Sequence, residues 1–141
     1  MLARLREQYW IDVRRIYATG FSNGGRFSYI LWSQLANVFA AFGICAGLVR
    51  EPVHLTVSKP LLHIAGERDE AAPFQVQQDT IAMARRINGC SEKGQPCGQG
   101  CMLYPSPKGA PVEVIIHPGG HIYPPIAPAL IVKFLKEQGG R

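Results

Sequence analysis

Short apolar runs that close on glycine alternate along this chain with longer stretches whose apolar residues stand three and four apart. Arg15-Ile16-Tyr17-Ala18-Thr19-Gly20 is brief and rich in β-formers, the signature of a buried strand. From Asn23 to Leu35, Phe27, Ile30, Leu31 and Leu35 recur at helical spacing. Phe39 to Ala46 is a second apolar run before Gly47, and Pro60 to Ala65 a third before Gly66. Pro73 to Ile87 predicts a helix through Phe74, Val76, Ile81, Ala84 and Ile87. Val112 to His117 alternates too little for an exposed strand and predicts a fourth buried one. Ile126 to Glu137 predicts a last amphipathic helix, ending at Gly139. Ahead of all of these, Leu2, Leu5, Tyr9 and Trp10 have helical spacing, and a turn follows at Asp12-Val13.

The predicted order is helix, strand, helix, strand, strand, helix, strand, helix. Strands interleaved with helices predict an α/β fold, a parallel sheet of about four strands with both faces covered. The 141 residues are one domain's worth, with no internal repeat and no low-complexity tract.

Composition narrows the function classes. The net charge is +5, with the Lys and Arg residues scattered and no aromatic comb among them, so a nucleic-acid surface is not expected. No apolar run reaches the roughly 18 residues that span a bilayer, so no membrane span is expected. The N-terminal "MLARLREQYWID" has no apolar core or small-residue cleavage site, so no signal peptide is expected either, and the compartment is left unassigned. Cys45 sits in an apolar run and is expected to be buried. Cys90, Cys97 and Cys101 cluster in a Gly-rich loop, "NGCSEKGQPCGQGC". Their C-x6-C-x3-C spacing is no usual zinc pattern, so no metal is expected, and a disulfide there depends on an oxidising compartment.

One stretch carries chemistry. Gly20-Phe21-Ser22-Asn23-Gly24 is a G-x-S-x-G between a predicted strand and a predicted helix. So tight a turn strains the serine, and glycine at Gly20 and Gly24 gives it room. The helix start then aims its free N–H groups and positive dipole end at negative charge on a bound carbonyl, with the Asn23 N–H as the oxyanion donor. A serine hydroxyl needs a base, and the base an orienting carboxylate. In this strand–turn–helix setting the chain order is serine, acid, histidine. Asp69 follows the third predicted strand, with Glu67 and Glu70 as rivals beside it. His121 follows the fourth in a loop after Gly119-Gly120, with His117 as its rival at the strand end. His54 is out of order and His63 lies mid-strand.

Taken together, "RIYATGFSNGG", "HIAGERDEAAPF", "RINGC" and "HPGGHIYP" resemble the polyhydroxybutyrate depolymerase and feruloyl or acetylxylan esterase group of α/β-hydrolases. The resemblance covers nearly the whole chain. It implies an ester hydrolase with a Ser22, Asp69, His121 triad and no cofactor. Gly66, Asp69 and Pro73 match a G-x-x-D-x-x-x-P block, which raises Asp69 over its neighbours. His121 matches the histidine of G-G-H-x-W-P, with Tyr123 where tryptophan is usual. Cys90 matches a cysteine often disulfide-bonded in secreted relatives. The chain looks like the C-terminal half or two-thirds of the family fold, an N-terminally shortened version. The second oxyanion donor would then come from a loop ahead of the elbow strand. That strand would be an open sheet edge, inviting a homodimer to cover it.

The expected activity is serine carboxylester hydrolysis through an acyl-enzyme. The substrates would be short-chain, feruloyl-type or polyhydroxyalkanoate esters, small or polymeric. Two alternatives stay open: an inactive remnant acting as an interaction module, and another serine-triad hydrolase such as a thioesterase or peptidase.

Overall fold

In a computed structural model that describes residues 2–50 and 53–139, six strands form one mixed sheet with helices on both faces. The strands are β1 (Tyr17–Phe21), β2 (Ala41–Cys45), β3 (Leu61–Gly66), β4 (Gln95–Gly98), β5 (Cys101–Tyr104) and β6 (Val112–His117). The helices are α1 (Leu2–Gln8), α2 (Asn23–Leu35), α3 (Phe74–Asn88) and α4 (Ala127–Gln138). The sheet order is β1-β2-β3-β6-β5-β4, with β1, β2, β3 and β6 parallel and β4 and β5 antiparallel.

Strand periodicity divides the core between the two faces. In β2, Phe42 and Ile44 point to the side covered by α2 and α3, where they meet Tyr29, Trp32, Ile81 and Ala84. Ala41 and Cys45 point the other way, to Ile131, Phe134 and Leu135 of α4. Gly43 shares that second face, and a Cβ there would stand 2.6 Å from Ile131 Cγ2, so the α4 contact requires its absence. Full burial of each large apolar side chain contributes roughly 1.5–3 kcal/mol. The same alternation in β3 sends Leu61 to the α2/α3 face and Leu62 and Ile64 to α4. His63 therefore lands among α2 and α3, fully buried.

The α/β class and the four parallel strands agree with the sequence pattern, but the strand number does not. The segment expected as a Gly-rich loop folds into the hairpin β4–β5, whose second strand pairs Tyr104 to Val112 and Cys101 to Ile115. All four residues of β4 are exposed, so no apolar alternation marks it. A Cys97–Cys101 disulfide closes the turn between the strands. At the other edge β1 starts two residues later than expected. Val13–Arg15 forms a single 3-10 turn instead, capped by Asp12, whose Oδ1 accepts from the Arg14 N–H at 3.0 Å. The first helix is short and buries none of its residues, and Trp10 lies beyond it, fully exposed.

Register fixes the geometry that matters next. Phe21 stands beside Cys45, Cys45 beside Ile64, and Ile64 beside Ile115. The carboxyl ends of β1, β3 and β6 therefore open on one side of the sheet, where groups in open α/β sheets converge.

Candidate active site

Ser22 follows directly on β1 with φ 55° and ψ −116°, a conformation L residues rarely adopt. It is held there by its neighbours. The Ser22 N–H donates to the Cys45 carbonyl at 3.0 Å, and the Ser22 carbonyl accepts from the Arg26 N–H at 2.9 Å. A Cβ at Gly20 would stand 2.2 Å from Gly24 backbone atoms, so the turn closes only over glycine. The sequence expectation for Gly24 needs correcting: a Cβ there would meet nothing within 4 Å. The crowded position is Gly25, whose Cβ would stand 2.9 Å from Gly47 Cα, where α2 crosses the end of β2. Asn23 is the first residue of α2, at the end where backbone N–H groups lack intrahelical acceptors.

Asp69 lies in the loop after β3 and its carboxyl group is fully buried. The loop is tied to the one after β6: the Glu67 N–H donates to His117 O at 2.9 Å, and the Arg68 N–H to Gly119 O at 3.0 Å. Arg68 Nε adds a bond to Pro118 O at 2.6 Å. These bonds bring the carboxylate under His121. His121 Nδ1 lies 3.0 Å from Asp69 Oδ1 and 2.9 Å from Oδ2, and its Nε2 lies 2.8 Å from Ser22 Oγ. A carboxylate only accepts, so Nδ1 carries the imidazole hydrogen. Nε2 is then a lone pair facing the Ser22 hydroxyl, which donates to it.

The rivals separate clearly. Glu67 and Glu70 are exposed. His117 Nδ1 accepts from the Gly119 N–H at 3.1 Å and shapes the loop. His54 is exposed. Cys45 is fully buried next to the site, and burial, then the charge of Asp69, push its thiol up to about 12. Cys90 is a half-buried thiol outside any disulfide, its Sγ 3.9 Å from the Ala110 carbonyl, and the cysteine pair that forms is Cys97 with Cys101. The pairing implied for Cys90 by resemblance is thus not the one in this chain.

Two features of the site escaped the sequence pattern. Phe21 packs its ring 4.9 Å from the His121 imidazole and edge-on to Tyr123 at 5.7 Å, walling the imidazole on one side. Its place beside the serine was the available signal. Gln77 also reaches Asp69, and it is a polar residue on the buried stripe of α3 shared with Ile81 and Ala84.

No family model matches the chain. It is 36% identical over 80 residues to the bifunctional acetylxylan esterase/xylanase XynS20E of Neocallimastix patriciarum, covering 53% of this chain and 11% of that protein. An acetyl xylan esterase from Aspergillus awamori superposes with TM-score 0.71 at 12% identity, over 95% of this chain and 64% of that one. The protein Atu2452, of unknown function, from Agrobacterium tumefaciens gives 0.69 at 23% identity, over 98% and 58%. The Bacillus cereus carboxylesterase gives 0.68 at 17% identity, over 97% and 55%. The fold is that of the α/β-hydrolases. The likeness is one of fold: the superpositions take in nearly all of this chain, with its mixed sheet and flanking helices. It spans a little over half the length of the solved structures, and 11% of the curated relative.

Proposed function

We propose that the chain is a serine carboxylester hydrolase in which Ser22, His121 and Asp69 act as one relay. The observation that carries this reading is the unbroken series of contacts from Ser22 Oγ through His121 to both oxygens of Asp69. The named esterases among the sequence and structure relatives support a carboxylic ester hydrolase.

The geometry supports the following chemistry. Ser22 Oγ attacks the ester carbonyl carbon while its proton passes to His121 Nε2. Asp69, buried against Nδ1, steadies the imidazolium. The Asn23 N–H and the positive end of α2 face the oxyanion. Collapse breaks the ester C–O bond, and the leaving alkoxide takes the proton back from Nε2. Water then attacks the acyl-enzyme by the same path, releasing the acid and restoring Ser22. The acetylxylan esterase relative favours a short acyl group, an acetyl ester above a feruloyl or polyhydroxyalkanoate one.

The reading extends to the open edge of β1, where a second copy would cover unpaired backbone groups and form a homodimer. A second oxyanion donor in this fold belongs to a loop outside the elbow, and losing one donor costs ~10²–10³ in turnover.

The test is hydrolysis of p-nitrophenyl acetate by the purified chain beside Ser22→Ala, with sedimentation to give the oligomeric state. The expected result is a drop of ~10³ or more in kcat for the variant, the scale of a triad member acting in a unit. Equal inactivity of two folded proteins would reject the hydrolase and leave an interaction module.

A further inference from the structure

The contacts of Asp69 continue away from His121 into the core. Its Oδ1 also accepts from the Ala72 N–H at 2.8 Å, and its Oδ2 from Gln77 Nε2 at 3.1 Å. Gln77 Nε2 donates as well to the Ala72 carbonyl at 2.6 Å. Gln77 Oε1 lies 3.1 Å from His63 Nε2, and His63 Nδ1 lies 2.8 Å from the Tyr29 hydroxyl. Tyr29, His63 and Gln77 are each completely buried. Six side chains from α2, β3, α3 and three loops thus form one line: Tyr29, His63, Gln77, Asp69, His121, Ser22.

The chemistry of the donors fixes the direction of every bond on the inner side. One end of the Gln77 amide faces a carboxylate and a carbonyl, both acceptors, so that end must be the nitrogen. Its oxygen then faces His63, whose Nε2 must carry the ring hydrogen. Nδ1 of His63 is left as a lone pair and takes the Tyr29 proton. Each hydrogen in the series points toward Asp69, so neutral groups in sequence present positive dipole ends to a buried anion. Aligned bonds of this kind polarise one another in a low-dielectric interior.

We propose that Gln77, backed by His63 and Tyr29, is a positioning residue that fixes the orientation of the Asp69 carboxylate against His121. The proposal rests on the triad reading given above. Burial supports the neutral state of the line by holding His63 down at about 4, against the opposing Gln77 hydrogen bond. It also pushes the Tyr29 phenol upward. The ionisable groups facing this line are His121 from the loop after β6, Cys45 from β2 and Tyr29 from α2. The Arg68 guanidinium, on the same loop as Asp69, is turned to Pro118 O. Among the described residues, Gln77 is therefore the one uncharged side-chain donor to the carboxylate that can be changed without touching the reacting groups.

A purely structural Gln77 would alter stability and leave the chemistry of the folded fraction alone. The distinguishing variant is Gln77→Glu. While protonated, the introduced carboxyl still donates to Asp69 and accepts from His63. Once ionised, it opposes Asp69 as a like charge. Two measurements are made on the wild type, Gln77→Glu and Tyr29→Phe: kcat and KM for p-nitrophenyl acetate against pH, and the downfield proton NMR resonance of the His121 Nδ1–H.

Gln77→Glu is expected to match the wild-type kcat at each acid pH where its carboxyl is protonated. Across the wild-type plateau it should lose ~10- to 100-fold, the range for one hydrogen bond to a charged group, with KM unchanged. Its resonance should shift over the same pH interval. Tyr29→Phe, at the far end of the line, should move the resonance with a smaller loss of kcat. Superimposable pH profiles and unmoved resonances in folded variants would overturn the proposal. Should Gln77→Glu fail to fold, the Tyr29→Phe resonance decides alone. The resonance needs no turnover, so an inert wild type would reject the hydrolase reading while the positioning reading still stands or falls on the spectrum.

Discussion

Gly66 lies so close beneath Gly120 that a Cβ on it would stand 2.5 Å from the Gly120 carbonyl oxygen and 2.6 Å from that of Gly119. The loop that carries His121 can settle over the end of β3 only because this position is bare. In Gly66→Ala the loop must lift, and His121 rises with it. Displacement of a reacting group by about 1 Å can cost ~10²-fold in rate. The expected outcome is a loss of that order in kcat, read by ester hydrolysis beside a circular-dichroism check that the protein is folded.

The two adjacent glycines in the first turn of α2, Gly24 and Gly25, should behave differently. Gly24→Ala adds a methyl to open space inside a helix, and alanine there is favoured over glycine by up to about 1 kcal/mol. Gly25→Ala pushes a methyl into Gly47 and the Cys45 carbonyl, and overpacking of that kind costs typically ~1–3 kcal/mol. Urea unfolding of the two variants should shift midpoints in opposite directions.

The Cys97–Cys101 bond closes a very short loop, with the two cysteines four positions apart. For so few residues the chain-entropy contribution is about 2 kcal/mol. It also ties down β4, the strand at the opposite sheet edge from β1. The double change Cys97→Ser, Cys101→Ser should therefore lower stability by at most about that amount in chemical denaturation. It should leave kcat within experimental scatter of the wild type.

Acid should weaken the fold through His63. Burial holds its imidazole at about 4 in the folded chain, below its ordinary 6.5. Between those values the unfolded chain binds a proton that the folded chain refuses. The stabilisation is complete above pH 6.5 and is lost as pH falls through about 4. The difference corresponds to roughly 3 kcal/mol. Urea midpoints for the wild type should fall across that window, more steeply than for His63→Gln, which cannot titrate there.

The parts of this fold that bury an apolar face could be read from the sequence. Asn23–Leu35 and Val112–His117 have the same bounds by pattern and in space, the helix through the period of its core-facing side and the strand through its near-continuous apolar run. Gln95–Gly98 has no such side, and with a proline and a glycine among four exposed residues it reads as loop. Its strand character comes from its hairpin partner β5, which is itself held in the sheet by β6. Within the site, Ser22, Asp69 and His121 stood out because each follows a strand end in the chain order this turn demands. Asp69 could be told from Glu67 and Glu70 only by resemblance, since burial, not residue type, separates them. Gln77 and His63 stand among the apolar residues of α3 and β3, and their partners lie on other elements, which no periodicity records.

Ser22 stands just past the end of the outermost parallel strand, while Asp69 and His121 hang from strands further in. The proton-handling groups and their buried support are therefore all inboard. Ser22 itself stands at the margin of the sheet, where β1 has no further strand beside it among the described residues. In the proposed reaction this separates two trades within one molecule: bond-breaking is fixed by the interior, and the fit of the acyl group by whatever borders that margin. A change of neighbour along β1 would retune which esters are accepted and leave the relay from Tyr29 to Ser22 as it is.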